Sequence, residues 1–286
     1  MEIRHFFDPR TWTLTYVVWD PQTLDALVID PVTDFDPLRY RLSSESADEV
    51  SRFLAENKLK LAWILETHAH ADHVSGAPIL KERHGARVAI GAQITEVQQT
   101  FGHIFNLGSD FVPDGRQFDR LLSEGDVLEV GGLRVEVIHT PGHTPACVSY
   151  HIGDALFTGD ALFMPDYGTG RCDFPKGSAE ELYRSVATKL YALPDDTRVF
   201  VGHDYMPNGR ELRFQTTIGE SKRSNKQLRA DTSREDFVRF RSSRDATLEP
   251  PKLLFPSVQL NINAGRAFTA ESNGMQYLKY PLNLLK

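Results

Sequence analysis

The sequence reads as an α/β chain in which two layered sheets are flanked by helices. Three observations lead there. Apolar strand-like runs alternate with helix-like stretches, neighbouring strands are joined by short turns, and four polar clusters each fall at the end of an apolar run.

The first pair of elements is a hairpin, LTYVVWD (14–20) and LDALVID (24–30), joined by the turn-rich PQT. A helix is expected over 46–57, where Ser46 and Glu49 make a capping-box pattern ahead of VSRFLAEN. The apolar strand LAWIL (61–65) runs straight into a histidine cluster, and a helix over 76–84 and the strand RVAI (87–90) continue the alternation. Residues 100–123 are aromatic, contain glycine and lack a period, so they read as a long surface excursion of the kind that often forms lids or interfaces. An exposed aromatic excursion makes a homodimer the expected assembly. Strands return at RVEVIHT (134–140), CVSYHI (147–152) and ALFTGD (155–160), a helix spans 178–191, and TRVFVGH (197–203) completes the set. Acidic and basic residues alternate between about 219 and 245, which reads as a solvated helix face. LEPPKLLFPSVQLNINAG (248–265) is proline-bearing and reads as extended. The expected organisation is a catalytic domain over 1–242, carrying the 100–123 insertion, with a C-terminal extension over 243–286 packed on it.

At 286 residues and 41% hydrophobic, the chain can bury a sizeable core. A net charge of −7, with no stripe of lysine and arginine, argues against a nucleic-acid partner. No apolar run approaches the roughly 20 residues that cross a bilayer, so no membrane partner is expected. MEIRHFFDPR lacks the features of a secretory or transit segment, which points to the cytoplasm. Cys147 and Cys172 are too few for a disulfide framework and read as reduced thiols, Cys172 as an inert one.

WILETHAHADH, VIHTPGHTP, LFTGDALF and FVGHDY each begin as an apolar strand and end in histidine or aspartate. Strand ends on a rigid sheet fix side chains well, so His68, His70, Asp72, His73, His143, Asp160 and His203 are expected to converge on one pocket. Imidazole with carboxylate suits zinc, iron or manganese. His5, His84, His103 and His151 lack that context and read as structural.

Thr67-His68-Ala69-His70-Ala71-Asp72-His73, then Thr140-Pro141-Gly142-His143-Thr144, Gly159-Asp160 and Gly202-His203-Asp204, resemble the metallo-β-lactamase superfamily. The resemblance implies an αββα sandwich, with a C-terminal extension, and a metal at one edge of the two sheets. In the two-metal version His68, His70 and His143 would hold one ion, Asp72, His73 and His203 the other, and Asp160 would bridge. That set implies a binuclear zinc thioester hydrolase of glyoxalase II type.

Three further stretches, GTGRCDFPKGSAEELYRSV from Gly168, HDYMPNGRELRFQTTIGESKRSNKQL from His203 and KLLFPSVQLNINAG from Lys252, resemble the persulfide dioxygenases of the same superfamily, the ETHE1-like group. This likeness implies one Fe(II) per subunit held by His68, His143 and Asp160, a facial triad with open positions. His70, Asp72, His73 and His203 would then stand behind the ligands, with Asp72 a candidate to orient a ligating ring. Arg171 and Tyr205 would contact substrate, the implied partners being a small thiol persulfide, such as glutathione persulfide, and O2. The products would be sulfite and free thiol. The chain departs from the group's usual pattern at Thr169 and Cys172, whose residue types are exchanged, and at Lys226, where a proline is usual.

Overall fold

A computed structural model describes residues 1–284. The first half comprises β1 (Glu2–Asp8), β2 (Thr13–Trp19), β3 (Asp25–Ile29), β4 (Val32–Asp36), β5 (Arg41–Ser43), α1 (Glu45–Glu56), β6 (Lys60–Leu65), β7 (Val74–Ser75), α2 (Ala77–His84), β8 (Arg87–Gly91), α3 (Ile94–Ile104) and β9 (Arg120–Leu122). The second comprises β10 (Val127–Val130), β11 (Leu133–His139), β12 (Val148–Ile152), β13 (Ala155–Phe157), α4 (Ala179–Arg184), β14 (Arg198–Phe200), β15 (Gln215–Thr217), α5 (Ile218–Ser224), α6 (Arg234–Asp245) and α7 (Leu254–Asn261). Each half builds one six-stranded sheet, in the orders β1-β2-β3-β6-β8-β9 and β10-β11-β12-β13-β14-β15. A small third sheet, β5-β4-β7, sits beside them.

The period of two along β2 explains the layering. Leu14, Tyr16 and Val18 enter the core shared with the second sheet, where they meet residues such as Val137, Tyr150 and Phe157. Val17 points the other way, with Val28 and Ile64, into a second core made with α1, α2 and α3. A sheet covered on both faces needs apolar residues on both, which is why these strands read as continuous hydrophobic runs. On the far side Leu182, Val186, Ile218 and Phe237 of the later helical segments cover the second sheet. The result is the four-layer αββα sandwich.

α1 buries Ala47, Val50 and Leu54 at the expected helical spacing. Its start differs from the capping-box reading: Ser46 lies inside the helix, its amide and hydroxyl both donating to Asp34 at 2.8 Å. The helix expected over 178–191 opens as α4, capped by Ser178, and continues through a π turn at 185–189 and a 3-10 turn at 190–192.

Three expectations are corrected. The 100–123 excursion begins inside α3, and its rings turn inward: Phe101, Phe105 and Phe118 are buried in the core beneath the first sheet. Phe111 alone of its four phenylalanine rings is half-buried, so the aromatic surface behind the homodimer expectation is mostly withdrawn into the core. The stretch 248–265, read as extended, contains the buried helix α7. The boundary expected at 242/243 falls inside α6. Among the described residues no helix is long and apolar enough to cross a membrane.

Candidate metal centre

The two sheets are stitched together at one edge. The Leu14 amide donates to the Gly202 carbonyl at 2.8 Å, and Thr13 pairs with His203 as an isolated bridge. The loops leaving β6, β11, β13 and β14 open at this edge, and they carry the four histidine and aspartate clusters.

His68, His143 and Asp160 each present one ligand atom, all within 4.8 Å of one another. The hydrogen bonds behind them fix which atoms face inward. The Thr67 hydroxyl donates to Asp30 Oδ2 at 2.8 Å, so its oxygen is left to accept from His68 Nδ1–H at 3.0 Å. His68 then keeps a bare lone pair on Nε2, a buried atom with no hydrogen-bond partner among the described residues. Burial, reinforced by the charge of His70, holds the His68 pKa well below its usual value and so keeps that ring neutral. His143 Nδ1–H donates to the Arg171 carbonyl at 2.7 Å, and its Nε2 lies 3.6 Å from Asp160 Oδ2. Two imidazole lone pairs and a carboxylate oxygen thus face one point in a buried setting, which is a donor set that fits a metal ion.

The remaining four expected residues adjoin this group. His203 sits between two carboxylates, with Nδ1 2.8 Å from Asp160 Oδ1 and Nε2 2.6 Å from Asp72 Oδ2. Burial works against a charge there, but Asp72 and Asp160 outweigh it and hold the His203 pKa well above the usual range. His70 is engaged through one nitrogen only, its Nδ1 being buried with no hydrogen-bond partner among the described residues. Its Nε2 lies 3.0 Å from Asp30 Oδ1 and 3.5 Å from Glu66 Oε2, and these carboxylates overcome its burial and push its pKa up to about 10. His73 Nδ1 shares the Thr13 hydroxyl with His203, at 3.2 and 3.1 Å. His70, Asp72 and His73 form a second possible ligand group within the same 4.8 Å limit.

Close approach by glycine makes this packing possible. Gly159, at φ +48°, lies so near Thr67 that an added Cβ would stand 2.5 Å from its Oγ1. A side chain there would displace the hydroxyl that orients His68.

The site opens into a cavity of about 570 Å3. His143 and Asp160 line its inner end, and Trp12, Phe163, Tyr167 and Tyr205 contribute aromatic wall. Tyr205 stacks on His203 with ring centroids 5.7 Å apart. Burial raises its phenol well above the usual pKa, so it stays a hydrogen-bond donor. Arg171 also lines the cavity, but its guanidinium is engaged by Asp173 at 2.5 and 2.6 Å and by the Glu249 carbonyl at 2.8 Å. Cys172 is buried, and burial, with the charge of Asp245 adding to it, raises its thiol pKa. Among the histidines read as structural, His5 stacks on Phe214 and His103 is exposed on α3.

Sequence reasoning missed Thr13, Asp30, Glu66 and Asn261. Asp30 carried a usable signal, because LDALVID is also an apolar strand ending in an acid. Asn261 carried none: its amide donates to the His70 and His73 carbonyls at 2.9 and 2.8 Å from a helix far along the chain.

Residues 13–203 match the metallo-beta-lactamase superfamily. The chain is 46% identical to a probable metallo-hydrolase of Burkholderia pseudomallei, over the full length of both. It is 47% identical to glyoxylase B2 of Dictyostelium discoideum, over 100% of this chain and 98% of that protein. It is 29% identical to the mitochondrial persulfide dioxygenase ETHE1 of Mus musculus, over 92% of this chain and 88% of that protein. Among solved structures, ETHE1 from Myxococcus xanthus superposes with a TM-score of 0.75 at 35% identity, covering 93% of this chain and 100% of that one. With the sandwich, the edge site and these relatives in agreement, the chain belongs to the metallo-beta-lactamase superfamily, alongside its ETHE1-like members.

Proposed function

We propose that the protein is an iron-dependent persulfide dioxygenase, a non-haem oxidoreductase that takes glutathione persulfide or a similar small persulfide. In the overall reaction persulfide, O2 and one water give free thiol, sulfite and two protons. The S–S bond breaks, the terminal sulfur is oxidised and the oxygen is reduced.

The observation that carries this reading is how His203 is engaged. His203 directs both ring nitrogens at Asp72 and Asp160 and so keeps no lone pair for a second ion, while His68, His143 and Asp160 form a compact three-donor set. A single Fe(II) on that set would offer adjacent open positions to sulfur and to oxygen. The chain's own groups do the rest. His203 holds one oxygen of Asp160 and so aims the other inward, and the Arg171 carbonyl holds the His143 ring. The aromatic wall would keep water from the reacting sulfur, and Tyr205, which lines the cavity, would donate a hydrogen bond to substrate. The likeness to ETHE1 proteins supports the same reading.

A binuclear zinc thioester hydrolase is the second reading. The His70, Asp72 and His73 group favours it, with His70 Nδ1 and His73 Nε2 buried and unpartnered among the described residues, as do the names of the hydrolase-like relatives. Metal analysis of protein purified without added metal separates the two: iron near one equivalent, against zinc near two. Iron-loaded protein should consume O2 with glutathione persulfide and release sulfite. No uptake with iron bound, or hydrolysis of a glutathione thioester by a two-zinc form, would overturn the dioxygenase reading.

A further inference from the structure

The turn between β1 and β2 carries a run of hydroxyls that ends at the metal edge. Asp8 closes β1, Thr13 opens β2, and Thr11 lies between them. Asp8 Oδ1 accepts from the Arg10 amide at 3.1 Å and from Arg10 Nε at 3.3 Å, which leaves Oδ2 to accept from the Thr11 hydroxyl at 2.7 Å. The Thr11 and Thr13 hydroxyl oxygens lie 2.8 Å apart. Trp12 separates the two residues at φ +60°, a left-handed backbone uncommon outside glycine. The turn is held in place by the Asp204 amide, which donates to the Trp12 carbonyl at 3.2 Å, and by the Tyr205 ring, 5.9 Å from the Trp12 indole.

The run has a direction. A carboxylate only accepts, and a hydroxyl has one proton to give and two lone pairs. Thr11 gives its proton to Asp8, so at the contact with Thr13 it must accept, and the proton there belongs to Thr13. With that proton committed, Thr13 Oγ1 has only lone pairs left. His73 Nδ1 stands 3.2 Å from it and His203 Nε2 3.1 Å, so both nitrogens must donate. Thr13 then makes every hydrogen bond a hydroxyl can make. Asp72 Oδ1, 3.5 Å from His73 Nδ1, is a further acceptor on the same side of the ring. On the other side His73 Nε2 is buried with no hydrogen-bond partner among the described residues, so a proton placed there would be a stranded donor.

We infer that Asp8, Thr11 and Thr13 are positioning residues, a one-way hydroxyl relay that fixes the His73 proton on Nδ1 from outside the metal centre and holds Nε2 as a bare acceptor at its edge. The same Thr13 oxygen steadies His203, whose Nδ1 holds Asp160 Oδ1 at 2.8 Å, so the relay also bears on the oxygen that Asp160 turns inward. The inference goes beyond the dioxygenase reading and needs no choice between iron and zinc.

The test reads the tautomer itself. Nitrogen NMR of the histidine-labelled full chain, carrying one equivalent of zinc as a diamagnetic stand-in for iron, shows which ring nitrogen of His73 bears the proton, and a His73→Gln sample assigns the signals. The wild type should show the proton on Nδ1. Thr11→Val removes the acceptor for the Thr13 proton, which should turn to His73 Nδ1 and drive the ring proton to Nε2 in most molecules. Thr11→Ser restores the hydroxyl and should read as wild type. Chelator competition should find the zinc held about tenfold more weakly in Thr11→Val and within about twofold of wild type in Thr11→Ser. Circular dichroism confirms that the variants are folded. A wild type protonated on Nε2, a Thr11→Val ring that keeps its proton on Nδ1, or a serine variant that behaves like the valine one overturns the relay. A displaced proton with unchanged zinc affinity overturns the positioning role. None of these readings uses O2, so the relay and the dioxygenase fall separately.

Discussion

Thr67 has one hydroxyl proton and two neighbours that could use it. Because the proton goes to Asp30, the hydroxyl oxygen is left to accept from His68, and the tautomer that frees Nε2 is selected. Thr67→Val keeps the shape and removes the oxygen. It should weaken metal binding by about 10- to 100-fold, the usual effect of losing a group that orients a ligand, whereas Thr67→Ser should retain most of the affinity. Chelator competition measures both, and an unchanged Thr67→Val affinity would refute the relay. At this scale the sequence was legible where chemistry clusters along the chain. His68, His70, Asp72 and His73 fall within six positions, and the strand-end rule places His143, Asp160 and His203 beside them. What it could not give was the division of labour, since that depends on Asp30, 37 residues from Thr67.

At the scale of elements, α7 carries a role its sequence concealed. Pro250, Pro251 and Pro256 make the stretch look extended, yet Pro256 occupies the first turn of the helix, where an amide proton has no intrahelical partner to lose. Asn261, at the end of α7, then clamps the histidine loop by accepting from the Ser75 amide and donating to the His70 and His73 carbonyls. Asn261→Leu fits the volume but leaves those buried groups without partners. It should cost about 2–4 kcal/mol by denaturant titration, by the usual penalty for stranded polar groups, and should speed hydrogen exchange through 70–75. Wild-type stability in that variant would show that the clamp is idle. α3 escaped notice for a different reason. Its apolar residues at 94, 97, 101 and 104 follow the helical period, but a window opening at residue 100 cuts that period in half.

Across the whole molecule, the layered class was the most legible feature, because doubly covered strands must be apolar on both faces and the helices between them must not be. The loops that carry Tyr167 and Tyr205 to the cavity are tied together by ion pairs outside it. Arg210 joins the loop after β14 to the loop after β13, contacting Asp204 at 2.7 Å and Asp166 at 2.5 and 3.0 Å. Arg210 holds the Asp166 carboxyl below its usual range. A depressed carboxylate stabilises the fold above its unfolded pKa, near 4, and loses that contribution as pH falls through the folded value. Arg210→Met should therefore reduce stability more at pH 7 than at pH 3, and Asp166 is exposed enough to keep its share of the difference below about 1 kcal/mol. Melting curves at the two pH values check this, and an equal loss at both would contradict it.

The bridge between Thr13 and His203 spans 190 positions, and Asn261 closes its clamp across a similar distance. Contacts of such long reach are made late, because the intervening loop must first surrender its freedom. During synthesis the early cluster emerges with nothing to complete it, and a polypeptide still lacking its last helix has the donors without the clamp. The shape of the histidine loop at this edge is thus completed only when the two ends of the chain have met, so a truncation before α7 should leave that loop unclamped.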